Sequence, residues 1–89
     1  MEALGFVETK GYVPAFCVAD AMVKAAEVTI LRKVWVGAAY VTVIVAGEIG
    51  AVRTAVDAGA AVANQTESLY SCMTIPLPSE ELFRVINNQ

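Results

Sequence analysis

The chain has 89 residues, of which 57% are hydrophobic and only 17% are charged, and its net charge is −3. Because a domain of this length has a large surface for its volume, and typical domains are about 25% charged, these side chains are too few to cover a small monomer. The basic residues are scattered, which excludes the basic surface of a nucleic-acid-binding protein.

A membrane protein and a self-associating protein would both account for so apolar a composition. The longest run without a charge covers residues 34–47, fourteen residues, whereas a membrane-spanning helix needs about 20. The sequence does not begin with a basic stretch followed by an apolar core, so we expect no secretory signal. The composition therefore predicts a protein of the cytosol that covers its surface with copies of itself.

Apolar periodicity and breaking residues predict seven elements in the order β-α-β-β-α-β-α. They are strands at residues 3–9, 28–36, 40–46 and 69–75, and helices at 15–26, 48–63 and 80–86. Pro14 suits the first turn of the first helix, while Pro76 and Pro78 end the last strand. Ser79 is expected to cap the final helix.

Residues 40–63 form the predicted centre of the fold. Residues 40–46 comprise six apolar residues, four of them β-branched, and one Thr, which is typical of a strand buried on both faces. After Gly47, Glu48 opens a helix with an acid at its positive end. One apolar stripe of this helix is predicted to contain Ile49, Val52, Val56, Ala60 and Ala63.

The first long helix is predicted to place Phe16, Ala19, Val23 and Ala26 on one face. Asp20 and Lys24 lie four residues apart with the acid first, an order that favours an ion pair.

This element order predicts an α+β fold of the split βαβ (ferredoxin-like) type as a single domain spanning residues 1–89. A four-stranded antiparallel sheet would carry the two main helices on one face, followed by the short C-terminal helix. The other face would then be left uncovered by this chain, and it would need a partner because its strands are not polar.

No catalytic constellation is evident in the sequence, so neither catalytic residues nor a cofactor is predicted. Histidine is absent, no Cys/His set has metal-ligand spacing, and the acids Glu80 and Glu81 are explained by helix capping. Cys17 and Cys72 are expected to be buried or half-buried free thiols, with a disulfide as the alternative. Gly47 to Gly50 is interpreted as a tight turn and not as a phosphate loop.

Four segments carry a specific resemblance to a known family. ETKG, ADAMVKAA, GEIGAV and DAGAA occur in that order, and the similarity extends over about residues 2–80. The chain resembles the single-domain hexameric shell proteins of bacterial microcompartments. The resemblance implies a disc-shaped hexamer that tiles edge to edge around encapsulated enzymes in the bacterial cytoplasm, with itself and other shell proteins as partners and no membrane or nucleic acid.

In that family the link between the second and third strands forms a small pore for metabolites on the six-fold axis, typically with the pattern Gly-polar-Gly. The matching residues here are Gly37, Ala38 and Ala39. Six copies of Ala38 would line the pore with methyl groups and leave backbone amides as its main polar groups. Trp35 either crowds the pore approach or packs in the interior, and both interpretations stay open.

The resemblance also implies a hexamer edge. Lys24 matches a family lysine that contacts the neighbouring hexamer, and its ammonium offers three donors. The companion motif is usually Pro-Arg-Pro-His, but here it is Pro76-Leu77-Pro78-Ser79. Leucine cannot replace the directed hydrogen bonds of an arginine, so the departure predicts a more apolar seam, hexamers that meet at an angle, or a minor tile mixed with others.

Two other classes of function remain as alternatives to a structural tile. The first is a small regulatory or ligand-binding module of ferredoxin-like fold, which predicts affinity for a small molecule in a cleft between subunits. The second is an acylphosphatase-like hydrolase, which needs an arginine and an asparagine facing a phosphate loop. Residues 10–13 contain neither residue type, so the hydrolase is the least favoured.

Overall fold

The computed structural model describes residues 2–37 and 39–87, with the backbone alone for Trp35 and Val36. The elements are β1 (Ala3–Lys10), α1 (Tyr12–Ala25), β2 (Thr29–Val36), β3 (Tyr40–Gly47), α2 (Ile49–Gln65), β4 (Leu69–Ile75) and α3 (Glu80–Asn87). All seven predicted elements are present in the predicted order, and their boundaries shift by no more than three residues.

The four strands form one antiparallel sheet in the order β2-β3-β1-β4. The apolar strand predicted to be central, β3, lies between β2 and β1, and Val7 pairs with Val43 at the middle of the sheet. This topology confirms the predicted split βαβ arrangement.

The main core lies between one sheet face and the helices α1 and α2. Alternate residues of β1 and β3 point toward the helices, because successive side chains of a strand face opposite sides. The fully buried side chains of this core include Val7, Val18, Met22, Val41, Val43, Val45 and Val52. On α2, the buried residues are Val52, Ala55, Val56, Gly59 and Ala63, so three members of the predicted stripe are confirmed.

The predicted face of α1 is confirmed at Ala19, which is buried, and at Ala26, which packs half-buried against the core, but it is wrong at Phe16 and Val23. The buried residues are Ala15, Val18, Ala19 and Met22, whereas Phe16 and Val23 are 53% and 43% exposed. The helix is apolar on most sides, so periodicity alone does not fix which side packs. Close approach to α2 at Gly59 brings the side that carries Val18 and Met22 into the core.

The second sheet face is not bare, contrary to the expectation from the sequence. The short helix α3 crosses back beneath the sheet, and its Ile86 packs into a second buried cluster with Leu4, Ile44 and Ala46. Half-buried Leu82 and Phe83 extend this contact. The open part of the face is a depression of about 250 Å³ lined by Phe6, Glu8, Thr42, Ser71, Cys72, Met73 and Ile75.

Both predicted acid or hydroxyl caps are confirmed. The Glu48 carboxylate accepts hydrogen bonds from the amides of Gly50 (2.9 Å) and Ala51 (3.2 Å) at the start of α2. The Ser79 hydroxyl accepts one from the amide of Leu82 at the start of α3 (3.2 Å). These bonds satisfy amide groups that have no partner within a helix.

Gly59 allows α1 and α2 to approach closely, and we predict that Gly59→Val destabilises the fold by about 2 kcal/mol through overpacking. A Cβ atom at this position would lie 2.8 Å from Met22 Cγ and 3.1 Å from Val18 Cγ1, and both neighbours are fully buried. Urea denaturation followed by circular dichroism measures the loss. The matched control is Ala61→Val at an exposed position of the same helix, which should cost about 0.5 kcal/mol; equal losses would contradict close packing at Gly59.

Candidate functional site

The link between β2 and β3 is the first predicted site, and it is held in an unusual backbone conformation. Gly37 and Ala39 both have positive φ angles, 59° and 73°, and the Ala39 amide donates to the Gly37 carbonyl at 3.0 Å. Ala38 lies outside the described residues. The Ala39 carbonyl accepts a hydrogen bond from the Gly11 amide, which ties the link to the turn before α1.

The positive φ of Ala39 gives a prediction about stability. An L-residue with a side chain in this region costs about 1–2 kcal/mol, whereas glycine adopts it freely. Glycine also has more freedom in the unfolded chain, which offsets part of the gain. We therefore expect Ala39→Gly to stabilise the protein by about 0.5–1 kcal/mol in urea denaturation.

The matched control is Ala61→Gly in the exposed part of α2, where the same change should cost about 1 kcal/mol. A loss of stability in both variants would mean that the conformation of Ala39 carries no strain.

A cluster of a lysine and two tyrosines adjoins this link and was missed by sequence reasoning. The Lys10 ammonium lies 6.0 Å from the ring centroid of Tyr40 and 5.8 Å from that of Tyr70. The two rings are 4.8 Å apart in an edge-to-face arrangement. The three residues belong to different strands, so only the strand register, in which Lys10 pairs with Tyr40, could have indicated the cluster.

Trp35, the predicted pore-approach residue, lies near the end of β2, where its backbone pairs with Val41. Its side chain lies outside the described residues, so both interpretations remain predictions.

Lys24, the predicted edge residue, lies in the last turn of α1. Its ammonium is 2.9 Å from the Asp20 carboxylate, and both side chains are well exposed, 73% and 60%. The predicted ion pair is thus confirmed. Because exposed pairs contribute only about 0–1 kcal/mol, Lys24 remains available to other acceptors at little cost to the fold.

The companion segment follows β4 and leads into α3. Leu77 is 78% exposed and Pro76 is also exposed, whereas Pro78 is buried. Among the described elements, α1 makes no contact with β4, the strand that leads into this segment. The two parts of the predicted edge are therefore carried by different elements, α1 and the segment between β4 and α3.

The two cysteines are free, as expected, but both are exposed, so the prediction that they are buried or half-buried is wrong. Cys17 lies on the outer side of α1, beside a depression of about 290 Å³ that Val13, Pro14, Val62, Gln65 and Thr66 complete. Cys72 lies in the edge strand β4.

The two depressions have volumes of about 250 and 290 Å³, close to the lower end of small-molecule sites, which is about 300 Å³. Within residues 2–37 and 39–87, no group of three His, Cys, Asp or Glu side chains could hold a metal ion. No helix in this part of the chain is long and apolar enough to cross a membrane.

Comparisons with known proteins converge on one family. A family profile described as the BMC domain matches residues 3–78. The bacterial microcompartment shell protein PduA of Citrobacter freundii is 45% identical over 85 residues, 96% of this chain and 91% of the relative. The carboxysome shell protein CsoS1 of Prochlorococcus marinus is 46% identical over 87 residues, 97% of this chain and 84% of the relative.

A solved structure agrees with these sequence matches. The crystal structure of a microcompartment protein from Desulfitobacterium hafniense superposes with a TM-score of 0.89 at 30% sequence identity. The match covers 99% of this chain but only 48% of that protein, so this chain spans about half the length of the solved one.

Proposed function

Because the chain belongs to the BMC domain family, we propose that it is a structural tile of a bacterial microcompartment shell. One shell domain, residues 1–89, forms cyclic hexamers that assemble edge to edge around encapsulated enzymes in the bacterial cytoplasm. The observation that carries this proposal is the match to two shell proteins at about 45% identity over almost the whole chain. The protein is not an enzyme, and its partners are itself and other shell proteins.

Exposed apolar side chains support a protein that associates with itself. The large hydrophobic residues with exposures of 43–78% are Tyr12, Val13, Phe16, Val23, Tyr70, Met73, Leu77 and Val85. They lie in α1, in β4, in the segment after β4 and in α3. Contacts with neighbouring subunits would remove this apolar surface from water at a gain of about 25 cal/mol per Å².

In this proposal, Gly37, Ala38 and Ala39 surround the six-fold axis and form the pore. The ring contains methyl groups in place of polar side chains, so backbone amides are the groups available to a passing metabolite. We infer that small molecules pass with less preference for polar ones than in relatives that carry a polar residue at the centre of the link.

The edge of the tile contains Lys24 together with Pro76, Leu77 and Pro78. The Lys24 ammonium donates to carbonyl oxygens of the neighbouring hexamer, and exposed Leu77 supplies apolar contact where the family usually has an arginine. The seam is thus more apolar than in relatives, which favours mixed shells or hexamers that meet at an angle.

Negative-stain electron microscopy of the purified protein tests this function. We expect six-fold discs and, at higher protein concentration, ordered sheets or curved fragments of sheet. Isothermal calorimetry against candidate metabolites distinguishes the ligand-binding alternative, because a shell tile should give no saturable heat. Dispersed particles without six-fold symmetry, together with a saturable ligand, would favour the ligand-binding module.

A further inference from the structure

Helix α3 is the one described helix on the second sheet face, and its attachment is slight. Of its eight residues only Ile86 is buried, while Leu82 and Phe83 are half-buried. In the segment before it, Leu77 is 78% exposed and Pro78 is buried. A helix of eight residues is not stable in water by itself, so α3 persists only through this small contact.

One side chain from the sheet reaches the far end of α3. The Arg32 guanidinium donates through Nη2 to the carbonyl of Asn87, in the last turn of the helix, at 3.3 Å. A positive charge at this end also complements the helix dipole. At the near end the Ser79 hydroxyl accepts a hydrogen bond from the Leu82 amide, so Arg32 is the side chain that links the far end of the helix to the sheet.

The contact between Arg32 and α3 is incomplete. The Arg32 Nε atom is buried and has no hydrogen-bond partner among the described residues, and a buried donor without a partner destabilises the position in which it is held. Opening of α3 would let water reach Nε, which offsets part of the loss of the apolar contact made by Ile86, Leu82 and Phe83.

We propose that α3 is a strap that opens and closes over the second sheet face while the sheet stays folded, and that Arg32 is the positioning residue that latches it. Elements with few buried contacts open at free energies well below that of global unfolding. Opening uncovers Leu4, Ile44 and Ala46, which are continuous through Phe6 and Ile75 with the neighbouring depression. The strap therefore controls how much apolar surface this face presents, whether or not the protein is a shell tile.

Amide hydrogen exchange with mass spectrometry, on the full chain in its purified oligomeric state, tests the strap. We expect amides of residues 82–87 to exchange at least about 100-fold faster than those of β3, because they exchange through local opening. Arg32→Ala should raise the rate of amide exchange in α3 a further five- to tenfold and leave the exchange rates in β1 and β3 unchanged. Arg32→Lys, which retains a positively charged donor group, should give α3 an exchange rate between those of the parent protein and of Arg32→Ala.

The matched control is Arg53→Ala, which removes an exposed arginine from α2 and should change nothing in α3. Protection of α3 equal to that of β3 would overturn the strap. An Arg32→Ala variant in which α3 exchanges as in the parent, or in which all elements accelerate equally, would overturn the latch.

Discussion

Replacing Lys24 with alanine should abolish extended sheets while the hexamer remains intact. A hydrogen bond from an ammonium to a carbonyl contributes about 1.5–3 kcal/mol, so the loss of one such bond per seam lowers the edge association constant about tenfold or more. The subunit itself should lose at most about 0.5 kcal/mol, because the ion pair with Asp20 is exposed. Electron microscopy of sheets and native mass spectrometry of hexamers measure the two effects separately.

Asp20→Asn is the matched control for this experiment. It removes the ion pair seen within α1 but keeps the ammonium that the seam requires. Sheets should therefore persist in Asp20→Asn and disappear in Lys24→Ala. Sheets that persist in both variants would show that the seam relies on other groups, such as exposed Leu77.

The second large effect concerns the pore. Ala38→Asp should place six like charges around one axis, and repulsion between them should weaken the ring by tenfold or more at low ionic strength. Added salt should restore the hexamer, because the Debye length falls from about 10 Å at 0.1 M to about 3 Å at 1 M. Native mass spectrometry and analytical ultracentrifugation across a salt series follow the change.

Ala61→Asp adds the same charge at an exposed position of α2 and serves as the control. It should leave the hexamer unchanged at every salt concentration. If Ala38→Asp behaves like this control, Ala38 does not face the axis and the assignment of the pore to residues 37–39 is wrong.

The architecture followed from the sequence because its signals were local and consistent. The strand at residues 40–46 with Gly47 and Glu48 behind it predicted a central strand, a break and a capped helix, and all three are present. The proline-bounded strand at 69–75 was predicted with its observed limits. Each prediction depended on residues adjacent in the chain.

The features that sequence reasoning missed depend on distant contacts. The packed side of α1 is set by its approach to α2 at Gly59, and the position of α3 is set by the cluster around Ile44 on the far face. The Lys10–Tyr40–Tyr70 cluster requires the register of three strands. The positive φ of Ala39 had a signal in the resemblance, because the pattern Gly-polar-Gly implied by it places a glycine at this position of the link.

The predicted pore and edge residues remain proposals for a physical reason. Both sites are assigned to surfaces where one subunit meets another, so a single chain holds only a sixth of the pore and half of each seam. The exposure of Lys24 and Leu77 is compatible with such a role, and only the assembled protein can bring the partners together.

The mass of the purified protein at micromolar concentration tests the central claim most directly. Native mass spectrometry should give six copies of the 9.4 kDa chain, with no substantial monomer peak. A stable, soluble monomer under these conditions would contradict the account, because an apolar, sparsely charged chain of this size is proposed to persist only within a ring of its own copies.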